Sequence, residues 1–255
     1  MPGGGTVLDQ KVLEFGIARS EVSSRSLAQL DLVRDFPDVP VLSETLLLME
    51  LKIRDRAVDL TEISHLVLGD IGAVLQIMRL AGSEDVSADS RPTRIEDCIS
   101  GLGLQACLEA MSRQTVKRRN RLPAIVETWS HARVIAENCK FLAEEDMLPA
   151  NPDEAYLVGL LHAMGTLPEI LEWDWTPSAF SDLDLAGLRM AEAWSLPGCV
   201  VEYFCELRSN SKTNRWTEIV QRAHQLANQS IGEDPLAEHA PLQKAAGTWM
   251  QLVSH

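Results

Sequence analysis

The stretch that decides the reading of this chain is Tyr156-Leu157-Val158-Gly159-Leu160-Leu161-His162-Ala163-Met164-Gly165. It follows Asn151-Pro152-Asp153-Glu154, in which a capping side chain, a proline at the first helical position and two first-turn acids mark a helix start. The stretch is therefore expected to be a helix carrying His162. The next position holds Ala163, which offers no lone pair and no negative charge. Nothing at that place can bridge two metal ions or offset the charge of one.

Outward from this helix, the rest of the chain also reads as helical. Its 255 residues are 45% hydrophobic and only 5% aromatic, and the apolar positions recur at helical rather than alternating spacing. The expected class is all-α, with no strand. The length suits one large domain or two packed lobes with a substantial core. A net charge of -14 and a pI near 4.8 argue against a general nucleic-acid binder, because neutralising phosphates needs clustered Lys and Arg. No stretch approaches the roughly 18 apolar residues of a membrane span. Met1-Pro2-Gly3-Gly4-Gly5 lacks the charged and apolar regions of a signal peptide, so a cytoplasmic location is the expectation. Cys98, Cys107, Cys139, Cys199 and Cys205 are scattered and never form a Cys-x-x-Cys pair, which fits buried free thiols.

Local signals divide the chain. Residues 1–26 are an N-terminal appendage in which Leu8, Val12, Leu13 and Phe15 suit a short helix. From Leu27, Ser43 is expected to cap one helix and Asp70 another that Gly82 stops, and Thr93-Arg94-Ile95-Glu96 reads as a capping box. The basic run Lys117-Arg118-Arg119-Asn120-Arg121 with Pro123 marks the boundary between a lobe of residues 27–120 and one of residues 121–230. The run fits a basic helix end facing the macrodipole, or a patch for a small anion or a partner. Helices are expected around Trp129 to Leu142, Leu183 to Trp194, Pro197 to Leu207 and Trp216 to Gln229. In the tail of residues 231–255, Leu242 to Val253 suits a last helix. Trp173 and Trp175 are expected to be an exposed pair able to anchor a partner.

Taken in order, these landmarks resemble the HDOD domain, a bacterial signalling module related to the HD metal-dependent phosphohydrolases but generally lacking their catalytic residues. The resemblance spans roughly residues 27–230 and rests on Phe36-Pro37-Asp38-Val39-Pro40, Ile63 to Asp70, Leu75 to Ser83 and Ile95 to Gly103. In the second half it rests on Trp129-Ser130-His131, Gly159 to Gly165 and Trp194-Ser195-Leu196-Pro197. The chain departs from the family where Asp-Pro is common, at Asp70-Ile71, and where Asn-Ser is common, at Gly82-Ser83. The frequent His-His pair is also missing after Trp194. The resemblance implies two helical lobes with an HD-related bundle in the C-terminal half.

An HD hydrolase needs a histidine on one helix, a His-Asp pair on a second and a late aspartate on a third. By resemblance, His131 and His162 match the first two positions, and the late aspartate aligns with His224. Such a set has no carboxylate, and phosphoester hydrolysis would lack the acidic ligands that position it. No glycine-rich phosphate loop, Gly-x-Ser-x-Gly elbow or His-Glu-x-x-His helix is present either. The expectation is a regulatory module without catalytic residues, cofactor or metal, acting on an unidentified signalling protein and not on nucleic acid or membrane. Two alternatives stand beside it. One is a metal-dependent nucleotide or phosphoester hydrolase with His131, His162 and His224 as ligands; the other is a sensor whose altered pocket binds a small anion. Candidate interaction residues are Lys117, Arg118, Arg119, Arg121, Trp173 and Trp175.

Overall fold

Apolar residues spaced three and four apart become helices along the described chain, which in this computed structural model comprises residues 36–54, 59–83, 91–113, 122–145, 148–173, 182–209 and 214–233. No β-strand occurs among these residues, and the all-α expectation holds. The appendage, the basic run, Trp175 and the tail helix expected over Leu242 to Val253 lie outside the described residues.

The first group of helices is α1 (Ser43–Arg54), α2 (Leu60–Leu68), α3 (Ile71–Gly82), α4 (Ile95–Leu102) and α5 (Leu104–Ser112). Asp59 caps α2 by accepting from the Thr61 amide at 3.0 Å. Asp70 caps α3 as expected, through the Ala73 amide at 3.2 Å. α3 is the central helix of this group, buried continuously from Ile71 to Met78. The capping box expected at Thr93 does not form. The helix starts one residue later, at Ile95, so Glu96 occupies the second helical position and cannot reach back, and it pairs with Arg94 instead. Gly103, with φ +84°, breaks α4 from α5 in a conformation that L side chains rarely adopt.

The second group begins with α6 (Leu122–Glu144), longer than the expected Trp129 to Leu142, with Pro123 tolerated in its first turn. It continues with α7 (Pro152–Leu161), a 3-10 turn at Met164–Thr166, α8 (Leu167–Ile170), α9 (Leu183–Ala193), α10 (Gly198–Arg208) and α11 (Arg215–Glu233). α6 packs most extensively on α7 and next on α11. The extensive helix pairings join members of the same group, so the described helices form two packed sets meeting at a narrower seam. Across that seam Trp129 donates to Asp70, Arg91 donates to the Leu196 carbonyl at 3.0 Å, and Arg94 pairs with Asp153 at 3.6 Å.

Among the described residues no single helix is long and apolar enough to cross a membrane. The α2–α3 pair, which reaches the necessary length together, is bent by 115°. All five cysteines are free; Cys205 is exposed, and the other four are buried as expected.

Candidate functional site

Three helices bring three histidines together. His131 lies on the buried side of α6 with Thr128, Trp129, Ala132 and Ile135, and Thr128 and Ile135 stand three residues before it and four after it on the same face. His162 occupies the C-cap of α7. Its position depends on Gly159, where an added Cβ would lie 2.7 Å from Ala136 Cα and 2.9 Å from Cys139 Sγ. Only the bare glycine lets α7 approach α6 this closely. The same glycine's carbonyl faces His162 Nδ1 at 2.7 Å. Because a carbonyl only accepts, Nδ1 carries the proton and donates, and the lone pair falls to Nε2.

The third histidine, His224, rides on α11, whose buried residues Trp216, Ile219, Val220 and Ala223 face inward. Glu206 of α10 fixes the start of α11 by accepting from the Trp216 and Thr217 amides at 2.8 and 2.9 Å. Asn138 of α6 donates to the Ala223 carbonyl at 3.2 Å, one residue before the histidine.

The ring centroids are 5.5 Å apart for His131 and His162, 5.2 Å for His131 and His224, and 5.0 Å for His162 and His224. One ring nitrogen from each lies within 4.8 Å of the others. Burial lowers all three pKa values, and the proximity of the rings adds to this for His131 and His162. The pKa of His131 falls to about 4, that of His162 well below its ordinary value, and that of His224 in the same direction. The cluster is therefore three neutral imidazoles near pH 7. Among the described residues no carboxylate joins it. Ala163 opens the 3-10 turn, and its carbonyl accepts from the Thr166 amide and hydroxyl at 3.0 and 2.7 Å.

These donors fit one borderline-soft ion. A tetrahedral zinc with Zn–N bonds of about 2 Å holds its nitrogens about 3.3 Å apart, so small side-chain rotations would close the present spacing. His162 Nε2 is buried without a hydrogen bond, and its Nδ1–H is braced by a backbone carbonyl, as metal-ligating histidines commonly are. A bridged pair of ions does not fit, because Ala163 supplies no side-chain carboxylate and its carbonyl is already engaged by Thr166.

The HDOD domain model matches residues 39–172, which runs from the residues before α1 through both His131 and His162. This chain belongs to the HDOD family. It is thus an HD-related regulatory module by family. Two solved structures share its fold, both of the MmoQ response regulator from Methylococcus capsulatus str. Bath. One is 17% identical at a TM-score of 0.61, covering 83% of this chain and 92% of its own. The other, a fragment, is 18% identical at a TM-score of 0.58, covering 82% of this chain and 91% of its own. No curated protein matches this HDOD chain in sequence.

The remaining expected positions are less informative. Trp173 is half-buried rather than exposed, and its amide donates to the Pro168 carbonyl at 3.0 Å. Lys117, Arg118, Arg119, Arg121 and Trp175 lie outside the described residues. Asp70, read in sequence as a helix cap and a landmark of the resemblance, also accepts from Trp129 Nε1 at 2.9 Å and the Leu42 amide at 2.8 Å. Gly159, Asn138 and Glu206 position the histidines, and of these only Gly159 carries a sequence signal, as a glycine inside an otherwise apolar helix.

Proposed function

We propose that this HDOD chain is a non-catalytic regulatory module that acts by binding another protein. The observation that supports this reading is the make-up of the histidine site. Three neutral imidazoles and Ala163 stand where phosphoester hydrolysis draws on carboxylates to hold metal and move a proton. A histidine whose pKa sits at about 4, as His131 does, is a weak proton acceptor near pH 7. The experiment incubates the full chain with bis(p-nitrophenyl) phosphate and with nucleotides, in Zn2+, Mn2+ or Fe2+. Rates equal to the metal-containing buffer are expected. Turnover above that level that disappears in His162→Ala would replace this reading with a hydrolase. The binding half is tested by crosslinking in the native host, where recurrent crosslinks to one protein are expected. A pattern no richer than that of an unrelated acidic protein would count against it.

The convergence of His131, His162 and His224 favours a second reading, a hydrolase or sensor built on a single ion. Such an ion, when bound, supplies Lewis acidity or an activated water. The chain's own part is to present the His162 Nε2 lone pair from a ring braced at Gly159, with His131 and His224 completing the set. Metal analysis of protein purified without tag or chelator separates the readings. About one ion per chain, lost in His162→Ala, supports the second, while folded metal-free protein ends it.

A further inference from the structure

We propose that the outer stripe of α1 is a self-docking surface, on which two copies of this chain pair antiparallel about a two-fold axis. Three large apolar side chains stand exposed together on that helix: Leu47 at 57%, Leu48 at 45% and Leu51 at 53%. Thr45, Leu46 and Met49 hold the opposite side of the helix in the core, so the three leucines form one outward stripe. Scattered exposed leucines need no explanation, but a contiguous apolar stripe does.

The same stripe continues to Glu44 before the leucines and to Arg54 after them, both exposed. Neither makes an ion pair among the described residues, whereas the neighbouring Lys52 is engaged by Glu62. The order of acid, leucines and base makes this stripe self-complementary. Glu44 and Arg54 lie symmetrically about position 49, and so do Leu47 and Leu51. Two such helices laid antiparallel set Glu44 of each against Arg54 of the other and Leu47 against Leu51, with both Leu48 side chains beside the axis. A parallel arrangement would instead put like charges together at both ends. An interface centred on one short helix belongs to the small, weak class, so a reversible dimer in the micromolar range or weaker is the form it takes. This inference stands independently of the histidine site and of the regulatory reading.

Sedimentation velocity on the full chain, from micromolar to submillimolar concentration, tests it. A monomer–dimer equilibrium is expected, and Leu47→Glu with Leu51→Glu abolishes it. Glu44→Arg alone and Arg54→Glu alone each weaken the dimer roughly tenfold, because each turns two attractive contacts into repulsive ones. The double variant regains the wild-type affinity. Mixing the two single variants also restores it, since the heterodimer regenerates an opposite-charge pair at both ends. These positions are exposed, so circular dichroism should show every variant folded. A chain that stays monomeric at submillimolar concentration, a dimer indifferent to the single reversals, or a mixture no tighter than its components would each overturn the proposal.

Discussion

Asp70 is buried, and its carboxylate accepts from four donors: the Leu42 amide at 2.8 Å, the Ala73 amide at 3.2 Å, Trp129 Nε1 at 2.9 Å and the Thr45 hydroxyl. Burial raises its pKa, and these bonds work in the opposite direction. Three of the four partners are N–H groups that can only donate, so Asp70→Asn keeps the shape but turns an amide NH2 toward at least one N–H. A loss of about 2 kcal/mol is expected in urea unfolding, and more for Asp70→Ala, which strands every donor. An Asn variant as stable as wild type would mean that relief of the buried charge cancels the lost bonds. The histidines give the molecule a pH dependence of known sign. In the unfolded chain each takes up a proton near pH 6.5, while in the folded chain His131 stays neutral until about 4 and His162 and His224 are shifted the same way. The unfolded state therefore binds more protons across the window from about 6.5 to about 4. The stabilisation is fully present above that window and is lost as pH falls through it, by up to about 1.4 kcal/mol per pH unit for each histidine. Urea midpoints measured with chelator present are expected to fall between pH 7.5 and 5.5, and to fall less in His224→Gln. Equal midpoints at the two pH values would contradict three rings held neutral by their surroundings.

At the scale of elements, Gly159 decides how α7 meets α6. An added methyl would sit 2.7 Å from Ala136 Cα, a backbone atom that cannot swing aside. Gly159→Ala should push the helices apart at a cost of about 1–3 kcal/mol, despite alanine's better helix propensity. A thermal unfolding midpoint at or above wild type would show that the interface yields easily. This close approach also shows what local signals reveal. The all-helical class, the caps at Asp70 and Asn151 and the start of α7 were legible because spacing and capping act within a few residues. The failed box at Thr93 shows the limit: Arg94 competes for Glu96, and a one-residue shift in the helix start removes the reciprocal bond. The cap of α11 was invisible because its acceptor, Glu206, belongs to the preceding helix. The meeting of His131, His162 and His224 has no periodicity behind it either. Only the family resemblance selected those three residues; packing of α6, α7 and α11 is what joins them.

For the molecule as a whole, the seam between the two helix groups is the place where cooperativity is decided. It holds few but specific contacts. Gly82, ending α3, lies under the Ser195 carbonyl so closely that an added Cβ would be 2.6 Å from the oxygen. Ser195 itself has φ 53°, a conformation costly for serine and one that persists only where its surroundings enforce it. Arg79 stacks over the adjoining Trp194 ring at 5.3 Å, and Arg91 holds the Leu196 carbonyl. Gly82→Val wedges this turn off α3 while leaving the internal packing of both groups intact. Two of the six tryptophans, Trp129 and Trp194, belong to the seam, so their share of the fluorescence, isolated by Trp129→Phe and Trp194→Phe controls, reports on it, whereas circular dichroism reports on helix content. Wild type is expected to lose both signals together in urea, as one cooperative unit does. In Gly82→Val the fluorescence transition should come first, at lower urea, with the helical signal following. Coincident curves in the variant would mean that each group cannot persist without the other, and that the narrow seam couples them more tightly than its few contacts imply.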